Sequence, residues 1–125
     1  MDKNLLKKNI VEMIDGRKRT VTFVQLSEIE GFVGNIAIGI PGMNVIIWEG
    51  ISQIAHTCIH ELLQEKKILA RETAPIIYLS DGYILRYKRA LRLDIPYKSR
   101  RWMPISFDSA KHKRENGDYL RIHRV

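Results

Sequence analysis

The sequence predicts a single α+β domain, and three features predict it. Residues 3–14 and 52–66 place apolar side chains three and four apart, the spacing of one helix face. Residues 20–24 and 45–48 are rich in β-branched and aromatic residues, Ile36, Ile38 and Ile40 alternate with small ones, and residues 68–72 read as a further strand. The 125 residues match the length of one domain, and a hydrophobic content of 45% supports one sizeable core.

Each element has its own signal. In the first helix, Leu5, Leu6, Ile10, Met13 and Ile14 share a face, with Lys7, Lys8 and Glu12 off it. Asp2 is placed to accept the free amides of the first turn, and Gly16 to end the helix in a left-handed conformation. A basic turn, GRKR, leads to a strand over residues 20–24. Ser27 and Glu30 have capping-box spacing, which predicts a short helix over residues 27–32. The stretch GNIAIGIPGMNVIIWEG reads as an inserted hairpin or extended loop, turning at Pro41-Gly42-Met43-Asn44.

The long helix over residues 52–66 carries the apolar stripe Ile51, Ile54, Ala55, Cys58, Ile59, Leu62 and Leu63. Ser52 is its expected cap, and Lys66-Lys67 suits the negative end of its dipole. A strand follows at residues 68–72, and Ala74-Pro75 breaks it. Residues 76–79 are short and apolar, Asp81-Gly82 has the chemistry of a hairpin turn, and residues 83–92 fit a strand or a helix. After Leu93 no period is sustained. Residues 94–125 are therefore expected as a basic C-terminal extension to a domain spanning residues 1–93. The competing arrangement has Trp102, Ile105, Phe107, Tyr119 and Ile122 completing the core as added strands.

Charge divides the chain. Residues 1–85 hold nine Lys/Arg and ten Asp/Glu, whereas residues 86–125 hold twelve and four. Positive charge gathered in one region favours a polyanionic partner, most often nucleic acid, although charge alone gives affinity without sequence preference. No apolar run approaches the ~18 residues of a membrane span, and residues 1–16 lack the continuous apolar core of a secretory signal. The expectation is a cytoplasmic protein with no membrane partner. A single cysteine, Cys58, on the apolar stripe, reads as a buried and inert thiol.

Without the inserted hairpin, the order helix, strand, short helix, long helix, strand, turn, strand resembles the winged helix–turn–helix fold. In that likeness ISQIAHTCIHELLQEKKIL stands as the recognition helix and its exit, and LARETAPIIYLSDGYIL as the wing. The match covers residues 3–92 as an order of elements. It departs from the family pattern in the long connection over residues 33–50, where three or four residues are usual. The resemblance implies a winged-helix-like α+β domain that binds double-stranded DNA, in the manner of a bacterial or phage transcriptional regulator, and it is compatible with a homodimer on a two-fold site.

The residues expected to carry DNA binding form two groups. Gln53, His56 and Thr57 lie on the outer face of the long helix, with His60 one turn on, where they can meet base edges. Arg86, Lys88, Arg89, Arg100 and Arg101 follow the expected wing and suit backbone phosphates. The absence of arginine from the helical stripe, with Glu49, Glu61 and Glu65 nearby, argues equally for a solvated face. It keeps open a second class: a protein-interaction module, an inhibitor or adaptor, that binds an acidic partner. His56 and His60 have the spacing of a metal pair but no evident third ligand, so no metal and no cofactor are expected. No nucleophile elbow, phosphate loop or catalytic carboxylate pair is present, and an enzyme is not expected.

Overall fold

A computed structural model describes residues 2–17 and 19–112. In chain order the elements are α1 (Lys3–Asp15), α2 (Phe23–Leu26), β1 (Val33–Ile40), β2 (Val45–Ile51), α3 (Gln53–Gln64), β3 (Ile68–Glu72), α4 (Pro75–Ser80), β4 (Lys88–Arg89), β5 (Arg101–Trp102) and β6 (Ile105–Ser109), followed by a 3-10 turn at Ala110–His112. The fold is α+β. No helix among the described residues is long and apolar enough to cross a membrane.

Both long helices form where the apolar spacing places them. Asp2 caps α1 by accepting from the Asn4 amide at 3.0 Å. Leu6, Ile10 and Ile14 are buried, whereas Leu5 is exposed. Gly16 ends the helix in a right-handed conformation, φ −82°, so its expected left-handed role is not used. Ser52 caps α3 through the Ala55 amide at 3.0 Å, and its hydroxyl donates to the Gly31 carbonyl at 2.7 Å. That second bond ties the start of α3 to the turn between α2 and β1. Ile51, Ala55, Cys58, Ile59 and Leu62 are buried, with Ile54 and Leu63 partly so.

Between these helices the hairpin forms as β1 antiparallel to β2, turning through Gly42 (φ 80°) and Asn44 (φ 60°). The short helix, however, starts four residues before its expected cap. Thr22 and Gln25 form the capping box that Ser27 and Glu30 were expected to form. Both pairs have the required spacing, but the earlier start turns Phe23 and Leu26 into the core. Of the strand expected over residues 20–24, Val21 alone pairs, bridging Phe107 with mutual backbone bonds of 2.8 Å.

The segment read as a wing is built differently. β3 pairs antiparallel with β6, across the intervening residues 73–104. Residues 76–79, the short apolar stretch ahead of the expected turn, lie in α4, where Pro75 sits in the first turn, a position that needs no amide donor. Asp81-Gly82 ends that helix, with Gly82 at φ 86°, instead of turning a hairpin. A left-handed glycine serves either purpose, and burial of Tyr78 under the helix decides between them.

Described residues beyond Leu93 belong to the packed body. β5 runs parallel to both β2 and β4 in a four-stranded sheet of order β1-β2-β5-β4. Trp102, Met103, Ile105 and Phe107 are each at most 2% exposed. The described part of the region expected as an extension therefore supplies core, because these four side chains have no other way to leave water. Trp102 and Phe107 join Phe23, Phe32, Trp48 and Tyr78 in one aromatic cluster. Trp48 stacks on Tyr78 at 4.9 Å between centroids, and Tyr78 meets Trp102 edge-on at 5.4 Å. Tyr119 and Ile122 lie outside the described residues.

Candidate nucleic-acid interface

Helix α3 separates its charges onto two sides. Glu61 accepts from Lys3 at 3.0 Å and Lys7 at 3.3 Å, and Glu65 lies 2.8 Å from Lys7. The lysines of α1 hold the Glu61 carboxyl below its usual range, and Glu65, then Glu61, raises the Lys7 amine. Of the acidic residues near the stripe, Glu61 and Glu65 are thus paired on the α1 side of the helix.

The opposite side faces the hairpin. There His56 and His60 line an open cleft of about 590 Å³, with Ile40, Pro41, Asn44 and Ile46 of the hairpin and Arg100. None of the residues lining it is acidic. Burial, then repulsion from His60, lowers the His56 pKa below its ordinary value. His60 Nε2 lies 3.1 Å from the Gln64 side-chain nitrogen.

The expected base-reading residues do not share one environment. Gln53 is exposed at the start of α3. His56 is half-buried in the cleft. Thr57 is half-buried and its hydroxyl donates back to the Gln53 carbonyl at 3.2 Å, a bond within the helix.

The basic residues are brought closer together than the sequence shows. Lys88 and Arg101 are register partners across β4 and β5, and Arg100 directly precedes Arg101 at the cleft. Asn44 helps to hold this arrangement: its carbonyl accepts from the Arg101 amide at 2.9 Å. The Arg101 guanidinium is half-buried, 4.9 Å over the Tyr97 ring. Tyr97 in turn accepts from the Leu91 and Arg92 amides at 2.9 and 3.0 Å. Tyr97, Trp102 and Phe107, which the sequence also allows to stack on bases, therefore anchor the segment to its own domain.

Arg86 is exposed, whereas Arg89 is paired with Glu72 at 3.2 Å and Arg92 with Asp94. Of a third basic cluster in the sequence, Lys111, Lys113 and Arg114, the first lies 3.6 Å from Asp15, and the other two lie outside the described residues, as does Lys18 of the basic turn.

Sequence reasoning missed the hairpin wall of the cleft. Ile40, Pro41, Asn44 and Ile46 carry no motif, and their value comes from packing beside His56, His60 and Arg100. Among the described residues no group of three His, Cys, Asp or Glu side chains is placed to hold a metal ion. Cys58 is buried, and burial pushes its thiol pKa up. Comparison with protein-family models, curated proteins and solved structures finds no match to this chain.

Proposed function

We propose that this chain is a DNA-binding domain of winged-helix type that acts in transcriptional regulation. The observation that carries the reading is the basic edge: Lys88 beside Arg101 in the sheet, with Arg100 next to the outer side of α3. Residues 86–112 hold eight Lys/Arg against two Asp/Glu, so this edge lies in a region of net positive charge. The topology is compatible with the winged-helix reading. Val21 bridges β6, β6 pairs with β3, and α1 packs against α3, which leads into β3. In this reading residues 73–104 replace a short wing. The hairpin lies beside His56 and His60 of α3, and in this reading Gln53, exposed at the start of the helix, reaches bases while Arg86, Lys88, Arg100 and Arg101 grip phosphates. Arg89 contributes by exchanging Glu72 for a phosphate.

Binding to a mixed-sequence duplex, measured by fluorescence anisotropy across salt concentration, tests the proposal. The expected affinity falls steeply with salt. Changing Arg86, Lys88 and Arg100 to Ala together reduces the logarithmic salt slope by about 0.9 for each phosphate no longer neutralised. Absence of binding at low salt, or a triple variant with an unchanged slope, overturns it.

A protein-interaction module for an acidic partner is the second reading, and one observation favours it. Ile76, Leu79, Tyr83, Ile84, Leu91 and Ile95 are all more than half exposed. Exposed apolar side chains gathered in residues 76–95 suit a protein partner, including a second copy of the chain. A stoichiometric protein partner together with absent duplex binding supports this reading over the first.

A further inference from the structure

We infer that the cleft between the β1–β2 hairpin and α3 binds a phosphate monoester carrying a flat apolar body, with nucleoside monophosphates as the ligand class. This goes beyond the nucleic-acid reading and shares Arg100 with it. The cleft volume, about 590 Å³, lies within the range of small-molecule sites. Its two walls differ in chemistry. The hairpin contributes Ile40, Pro41 and Ile46, an apolar surface for a ring. Across from them, His56 and His60 project from successive turns of α3, and Arg100 joins them.

The donor set selects an anion. Imidazole and guanidinium groups donate to phosphate oxygens, and Arg presents a fixed fork that matches them. A divalent cation would meet two imidazoles, a repelling guanidinium and no carboxylate in the lining. The surrounding titratable groups do not compensate a cation either. Glu61 and Glu65 are turned to Lys3 and Lys7, no hairpin residue lining the cleft ionises, and Arg100 is positive.

A bound phosphate dianion also answers the electrostatics of the pair. Protonated together, His56 and His60 repel one another, and a dianion between them removes that repulsion. Binding of the dianion therefore favours protonated His56, whose pKa burial and His60 lower in the free protein, so affinity rises as pH falls until the phosphate itself gains its second proton at about pH 6.

Titration of the protein with AMP, followed by side-chain NMR of the two histidines, tests the inference. Adenosine and inorganic phosphate serve as the two halves of the probe. AMP is expected to shift both histidine resonances and to bind at least threefold more tightly at pH 6 than at pH 8. Adenosine and inorganic phosphate are each expected to bind at least tenfold more weakly than AMP. Arg100→Ala, at an exposed position, is expected to weaken AMP at least tenfold with unchanged thermal unfolding, and Arg100→Lys to restore part of the affinity. His56→Gln is expected to flatten the pH dependence.

Unshifted histidines, equal affinity at the two pH values, or wild-type affinity in Arg100→Ala overturns the site. A response to zinc with none to AMP overturns it in favour of a metal pair. Duplex binding on the same preparations separates this inference from the preceding one: duplex bound without AMP refutes only the cleft ligand, and AMP bound without duplex refutes only the DNA reading.

Discussion

Replacing Tyr78 by Phe removes one oxygen atom from the middle of the aromatic cluster, and the structure sets the size of the effect. The Tyr78 hydroxyl accepts from the Phe23 amide at 3.2 Å and donates to the Ile105 carbonyl. It thereby joins α4, α2 and β6 through one buried group. Phe23 is the first residue of α2, so its amide has no partner within the helix. In Tyr78→Phe the ring keeps its stacking on Trp48 and its edge-on packing against Trp102, while a buried donor is left without its acceptor. Such a vacancy costs about 1–3 kcal/mol. At roughly 4 °C per kcal/mol for a domain of this size, a central value of about 2 kcal/mol lowers Tm by about 8 °C. Differential scanning calorimetry and urea unfolding read the change, with the urea slope unaltered because the buried surface is nearly the same. Burial also holds the Tyr78 hydroxyl protonated above its ordinary pKa of 10.0. A folded pKa raised above the unfolded one contributes stability that is complete below about pH 10 and is lost as pH rises beyond it. Wild type should therefore lose stability in alkali more steeply than Tyr78→Phe. A variant whose Tm lies within about 2 °C of wild type, with the same alkaline profile, refutes this account of how α4 is held.

Two further changes test the packing. A chain ending at Leu93 lacks Trp102, Met103, Ile105 and Phe107, and β5 and β6 with them; it should show no cooperative thermal transition, and a sharp transition by circular dichroism would contradict the placement of these residues in the core. At Gly39 an added Cβ would lie 2.4 Å from the Val45 carbonyl oxygen. Backbone cannot yield as a flexible side chain does, so Gly39→Ala should destabilise by about 1–3 kcal/mol in urea unfolding and alter the cleft beside it, whereas unchanged stability would show that the hairpin gives way freely.

The sequence by itself determined what depends on nearest neighbours along the chain. Helices α1 and α3, their caps at Asp2 and Ser52, the buried stripe ending at Leu62 and the hairpin turn at 41–44 all follow from period and local hydrogen bonding. So does the gathering of positive charge after Leu85. Where two local solutions were equally good, packing chose. Thr22 and Ser27 both head capping boxes by spacing, and the start that buries Phe23 and Leu26 prevails. Asp81-Gly82 suits a hairpin or a helix end, and the helix that buries Tyr78 prevails. Tertiary structure alone decided the long-range pairings. β3 finds β6 rather than its neighbour in sequence, and the irregular stretch after Leu93 becomes core because Trp102 and Phe107 fit among Phe23, Trp48 and Tyr78. The cleft is of the same kind. Its histidines are visible as a helical pair, but its hairpin wall and Arg100 are far away in sequence, and only folding brings a guanidinium, two imidazoles and an apolar surface to one place.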